Sequence, residues 1–140
     1  MSRRNGDLQR SFNFQPVAEP EDRRAGILVV EDDLDLRDSI KASLEMDGFD
    51  VVTAANGLEG LRRYKENQHR VQIVVTDLDM PTMNGSEMIR HILKMTPNVK
   101  VLVASGRSQL ERSSRMPCLQ KPYTLRDLRL AVAQLRSQGL

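Results

Sequence analysis

The sequence predicts a doubly wound α/β domain whose five-stranded parallel sheet is covered by helices on both faces. Three observations carry this. Short apolar runs alternate with stretches in which apolar residues return every three or four positions. The first run, Ile27-Leu28-Val29-Val30, is continuous rather than alternating, and the runs finish in acidic or small polar residues. Continuous apolar runs suit strands covered on both faces, and strand–helix alternation forces right-handed parallel crossovers.

Each element follows from its own pattern. Ile27–Val30 is the first strand, stopped by acids. Leu36, Ile40 and Leu44 give the next helix one apolar stripe until Gly48 ends it. Phe49–Ala54 is a weaker second strand, and Leu58, Leu61 and Tyr64 support a second helix before the polar return at Lys65–Arg70. Val71–Thr76 is a third strand closed by Asp77, followed by a loop shaped by Pro81 and Gly85. Met88, Ile92 and Met95, with Ile89 and Leu93 beside them, mark a third helix. Val99–Ala104 is a fourth strand, finishing in Ser105 and Gly106. Arg107–Arg115 has Leu110 as its one clear apolar anchor, so a short or irregular fourth helix is expected there. Pro117–Gln120 is a brief fifth strand, and Leu125, Leu128, Val132 and Leu135 build the closing helix.

Ahead of this lies a polar tail, residues 1–26, in which charges alternate in sign, Pro16 and Pro20 interrupt, and Phe12, Phe14 and Val17 are the sizeable apolar side chains. It reads as a disordered arm, with docking of Phe12 and Phe14 on the domain or on a partner as the alternative. The folded domain is expected over residues 27–137. At 39% hydrophobic, the chain falls below the roughly 45–50% usual for globular domains, and the tail accounts for part of the deficit.

Composition removes several function classes. Twenty-one basic and nineteen acidic residues give a net charge of +2, the bases are scattered, and aromatic residues are few, so nucleic-acid binding is not expected. A single cysteine, Cys118, excludes an internal disulfide and any CxxC pattern. His69 and His91 are too far apart in sequence to suggest a metal site, and both read as structural or solvated. No apolar run approaches the roughly 20 residues of a membrane span, and no signal segment opens the chain, so the cytoplasm is the expected location.

The informative residues stand at strand ends. Glu31, Asp32 and Asp33 follow the first strand, Asp77 closes the third, Ser105 follows the fourth and Lys121 the fifth. A parallel sheet brings all of these to one edge, where such folds bind ligands. Crowded carboxylates raise one another's pKa unless a cation sits among them. Magnesium fits, because it takes oxygen ligands and keeps waters that a phosphate can replace. Asp77 then becomes a possible nucleophile forming an acyl phosphate, Lys121 a neutraliser of the phosphoryl oxygens, and Ser105 a hydrogen-bond donor to them. Asp32 and Asp33 would supply or organise metal ligands. The plainer alternative is that the acids cap the following helix, worth roughly 0.3–1 kcal/mol each, with Lys121 an ordinary surface lysine and Ser105 a turn former.

Taken together, Ile27-Leu28-Val29-Val30-Glu31-Asp32-Asp33, Asp77-Leu78-Asp79-Met80-Pro81-Thr82-Met83-Asn84-Gly85, Val101-Leu102-Val103-Ala104-Ser105-Gly106 and Lys121-Pro122 resemble the receiver domain of bacterial two-component response regulators. The resemblance spans roughly residues 25–135. It implies a flavodoxin-like strand order 2-1-3-4-5 with five helices. It also implies a phosphoryl group passed to Asp77 from the histidine of a sensor kinase or histidine phosphotransfer protein. Aspartyl-phosphate formation and its self-hydrolysis would be the only turnover. Mg2+ would be held by Asp33 directly, Asp32 in support, Asp77 and the backbone carbonyl of Asp79, with Ser105 and Lys121 on the phosphoryl oxygens. Gly85 would allow the tight loop after Pro81, and Pro122 would follow a cis peptide bond.

Two departures from the family pattern stand out. Cys118 occupies the position, three before the lysine, where an aromatic residue usually turns inward on phosphorylation. Ser105 to Lys121 spans 16 positions, shorter than in common receivers, which remodels the face on which many members dimerise. By resemblance such compact endings go with free-standing or hybrid-kinase receivers. With the start at Met1 and the short end after Leu135, the expectation is a stand-alone phosphoacceptor that switches a contact with a downstream protein, as monomer or homodimer, with a fragment of a larger protein as the alternative. A degenerate receiver serving as a constitutive binding scaffold is one alternative, and a magnesium-dependent phosphohydrolase another.

Overall fold

The computed structural model of this chain describes residues 24–80, 83–106 and 116–138. Within them the order is β1 (Gly26–Val30), α1 (Leu34–Met46), β2 (Asp50–Ala54), α2 (Gly57–Glu66), β3 (Val71–Asp77), α3 (Gly85–Met95), β4 (Lys100–Ser105), β5 (Cys118–Gln120) and α4 (Leu125–Ser137). The five strands are all parallel and run β2-β1-β3-β4-β5 across the sheet. The doubly wound fold expected from the sequence is therefore the fold found. The helix expected over 107–115, the loop residue Pro81 and the tail through residue 23 lie outside the described residues; among the described residues there are four helices.

Strand side chains point alternately to the two faces, and the core divides accordingly. Leu28, Val30, Val74, Val101 and Val103 face α2 and α3, whereas Ile27, Val29, Ile73, Val75 and Leu102 face α1 and α4. Burial on both faces is why these runs carry no polar alternation. Ile40 and Leu44 bury the stripe of α1, and Leu128, Val132 and Leu135 that of α4.

Helix α2 differs from the expected stripe. Leu58 is 60% exposed, and the buried face is Gly57, Gly60, Leu61 and Tyr64. A Cβ on Gly60 would come within 2.6 Å of the Met88 sulfur and 2.9 Å of Val30, so α2 lies closer to the sheet and to α3 than a leucine-lined face would allow. The missing side chain sets the approach. Tyr64 is fully buried, and its hydroxyl donates to Thr96 Oγ1 at 2.5 Å. Phe49, expected to open the second strand, instead precedes β2 as a buried loop residue.

Each helix opens on a side-chain cap. Asp33, Asn56, Asn84 and Thr124 accept from the backbone amides of Leu36, Glu59, Glu87 and Asp127, and Thr124 with Asp127 completes a reciprocal capping box. Such caps contribute about 1 kcal/mol each and fix where the chain turns from strand end to helix.

Candidate functional site at the carboxyl edge of the sheet

Backbone ladder bonds set the site residues in place. Glu31 N donates to Ala54 O at 3.0 Å, carrying the β1–β2 ladder one residue beyond β1. Asp77 is the last residue of β3, opposite Ala104 of β4, and Leu78 N donates to Ala104 O at 3.0 Å. Lys121 N donates to Ser105 O at 2.9 Å, which aligns the lysine with the end of β4. The Lys121–Pro122 peptide is cis, as the resemblance implies. At Gly85 a Cβ would lie 2.4 Å from the Asp77 carbonyl oxygen, so a side chain there would push α3 off the acidic strand end.

These constraints enclose a pocket of about 730 Å³ lined by Asp77, Glu31, Asp32, Asp33, Asp79 and Lys121, with Leu36, Pro122 and Tyr123 beside them. Asp77 is 4% exposed. Both of its carboxylate oxygens are engaged: Oδ2 accepts from Lys121 Nζ at 2.8 Å, and Oδ1 accepts from the Asp79 amide at 2.8 Å. Five carboxylates against one ammonium make the pocket strongly anionic.

The titration behaviour reflects burial first and the neighbouring charges second. Burial pushes Glu31 up to about 7, and the charges of Asp77 and Asp32 add to the shift against a hydrogen bond from the Asp33 amide. Burial alone would lower Lys121. Its hydrogen bond to Asp77 and the charges of Asp77, Glu31 and Asp79 outweigh that effect and hold it above the usual lysine value. Tyr123 is pushed up to about 12 by burial and by the charges of Glu31 and Asp77.

The predicted residues are not treated alike. One carboxylate oxygen each from Glu31, Asp32 and Asp77 lies within 4.8 Å of the others, a grouping that suits a hard divalent cation. Asp33 stands outside it: its Oδ1 accepts from Leu36 N at 3.1 Å as the cap of α1, and its own amide donates to Glu31 Oε2 at 3.0 Å. The capping alternative and the metal alternative are thus divided between neighbouring acids. Arg37 Nη1 donates to the Glu31 carbonyl at 2.8 Å and ties the acidic turn to α1. Asp79 is exposed at the rim, its Oδ2 accepting from Gly106 N at 3.4 Å. Ser105 is fully buried and is not among the residues lining the pocket. Cys118 sits half-buried on β5, its Sγ 3.5 Å from the Leu119 carbonyl.

Two contributors escaped the sequence reading. Glu31 directly follows the first strand, yet the sequence pattern and the family resemblance place the metal on Asp32 and Asp33. The signal was available, because the residue immediately preceding a helix, here Asp33, is the one that caps it. Tyr123 carried no signal beyond its place after Lys121-Pro122.

A parallel 2-1-3-4-5 sheet with a buried aspartate, an acidic turn and a lysine converging at its carboxyl edge defines a single class of α/β domain. The chain matches the response regulator receiver domain family over residues 27–133 and belongs to it. It is 33% identical over 108 residues to the response regulator receiver protein CpdR of Brucella abortus, covering 73% of this chain and 88% of that protein. It is 36% identical over 108 residues to a transcriptional regulatory protein CpxR homolog of Haemophilus influenzae, covering 73% of this chain and 46% of that one. The chain spans about half the length of the transcriptional regulators it matches. Among solved structures, a receiver domain protein from Clostridium thermocellum superposes with a TM-score of 0.73 at 34% identity, covering 81% of this chain and 95% of that one. Among the described residues no helix is long and apolar enough to cross a membrane.

Proposed function

We propose that this protein is a phosphoacceptor switch in which Asp77 takes a phosphoryl group from a phosphohistidine of a sensor kinase or phosphotransfer protein. The observation that carries this reading is the state of Asp77: buried at a strand end, ion-paired to Lys121, and grouped with two further carboxylates. An Asp77 carboxylate oxygen attacks phosphorus, the phosphorus–nitrogen bond breaks, and the departing imidazole recovers a proton. The product is an acyl phosphate, which water later cleaves to restore the carboxylate.

Glu31, Asp32 and Asp77, with the Asp79 carbonyl, would hold Mg2+, one residue earlier in the acidic run than the sequence suggested, while Asp33 remains a cap. Bound Mg2+ would supply charge neutralisation for the phosphoryl oxygens. Lys121 already touches Asp77 and exchanges that contact for a phosphoryl oxygen as charge builds there. Ser105 reaches the phosphoryl group only by moving out of its buried position, which makes it the residue that registers phosphorylation. With Cys118 in place of an aromatic ring, the movement is passed on without ring rotation, to a contact with a downstream protein.

Intact-mass measurement after incubation with magnesium and a small phosphodonor tests the proposal. One phosphoryl adduct is expected, absent in Asp77→Asn and reduced without magnesium. No adduct from either a small donor or a matched histidine kinase would overturn it and leave the constitutive scaffold.

A further inference from the structure

Glu31 is held at its amide, its side chain and its carbonyl, each by a different part of the chain. The amide donates to Ala54 O of β2 at 3.0 Å, and Oε2 accepts from Asp33 N at 3.0 Å. The carbonyl lies just past the end of β1 and is met by a side chain, Arg37 Nη1 donating to it at 2.8 Å. Arg37 is half-buried in the first turn of α1, and its own amide donates to Asp33 O at 2.9 Å. Its guanidinium thus reaches back from the helix to the strand end and closes the acidic turn into a ring.

The choice of acceptor is informative. Glu31, Asp32, Asp33, Asp35 and Asp38 are all close to Arg37 in sequence, yet among the described residues Arg37 forms no ion pair. A cation in the first turn also stands against the helix dipole. A charge kept to neutralise the acids would sit on a carboxylate; this one makes a charge-assisted bond to the backbone. The peptide it grips joins Glu31 to Asp32. Because that unit is planar, its tilt sets ψ of Glu31 and φ of Asp32 together, and so aims both side chains. Packing restrains the buried Glu31, whereas Asp32 is exposed and depends more on the peptide that carries it.

We propose that Arg37 is a positioning residue for the metal site: by holding the Glu31 carbonyl it keeps the Glu31 and Asp32 carboxylates aimed at Mg2+. This rests on the placement of Mg2+ in the function proposed above. Groups that orient ligands from behind typically account for 10–100-fold in metal affinity. The rival role, neutralising the acids, predicts the opposite sign. Removing a nearby positive charge favours uptake of a divalent cation, whereas releasing the turn disfavours it.

Calorimetric titration of the full chain with magnesium chloride, without a phosphodonor, tests the sign. Arg37→Met keeps the apolar stem and removes the charge and the donors. Its Mg2+ dissociation constant is expected to rise about tenfold. Tighter binding would assign Arg37 to neutralisation, and unchanged binding with a lower urea midpoint would make it merely structural; either overturns the proposal. Should Arg37→Met fail to fold, Arg37→Lys decides, since it keeps the charge on a shorter arm without the planar fork. Weaker Mg2+ binding in that variant supports positioning, and native binding overturns it. A native chain that takes up no Mg2+ also overturns the role of Arg37. Native Mg2+ binding without a phosphoryl adduct would instead overturn the phosphoacceptor reading and leave that role standing.

Discussion

The two strands that present carboxylates and the one that presents the lysine are built differently. β1 and β3 are central, paired on both sides and buried over nearly their whole length; Glu31 directly follows β1, and Asp77 ends β3. β5 is an edge strand of three residues, none of them fully buried, and it ends just before Lys121. The acids are thus held by the core and the cation by one ladder bond and one ion pair. The element with the fewest restraints carries the group that must change partner when a phosphoryl group arrives.

The largest expected effect tests that asymmetry in stability. Ile73→Ala removes a fully buried side chain from the middle of β3 and is expected to cost about 2–5 kcal/mol in urea unfolding. Leu119→Ala, at a partly exposed position paired with Ala104, is expected to cost less than about 2 kcal/mol. Equal losses would mean that the edge strand is as much a part of the core as the centre.

Gly85→Ala acts on the acidic side alone. The new methyl group meets the Asp77 carbonyl at a distance no real contact adopts. The start of α3 must move, at about 1–3 kcal/mol, and the phosphoryl adduct should form more slowly. An unchanged unfolding midpoint with normal adduct formation would show that the loop yields without disturbing Asp77.

The pH dependence separates the two sides further. Folded Glu31 titrates near 7 against an ordinary value of 4.5. Across that window the folded protein keeps a proton that the unfolded chain has lost. Without magnesium its stability must therefore fall as pH rises from about 4.5 to about 7, and change no further from this group above that. Urea midpoints at the two ends of the window should converge in Glu31→Gln, and magnesium should reduce the loss in the native sequence. A native midpoint that is flat or rises relative to Glu31→Gln would contradict the burial of Glu31 beside Asp32 and Asp77 as the cause of its raised pKa.

How much of this was legible beforehand follows the same division. Strands β1 and β4 announce themselves by continuous apolar runs and β3 by Ile73-Val74-Val75, with Gln72 the one exposed residue before them, and Asp77 and Lys121 are legible from strand ends alone. Leu58 misled because periodicity treats every leucine as core, whereas the close packing of α2 depends on the absent side chain of Gly60. Glu31, Asp32 and Asp33 could not be sorted by charge, since all three are acids. Only the position of the first helical turn decides that Asp33 caps α1. That Ser105 is enclosed rather than lining the pocket depends on how β4 packs, which no local pattern reports.

The smallest expected effect concerns Cys118, the residue that departs most from the family pattern. Its side chain is half-buried at the margin of the α2–α3 core, and the contact it makes is a long one to its neighbour's carbonyl. Cys118→Ala should change stability by about 1 kcal/mol or less and leave the phosphoryl adduct intact in the intact-mass measurement. The physical reason is that the Lys121–Ser105 backbone bond and the ion pair to Asp77 position the lysine, and neither involves the thiol. Loss of the adduct in this variant would mean that the edge strand positions Lys121 through its side chains, and the contrast between a core-held acid and a lightly held cation would fail.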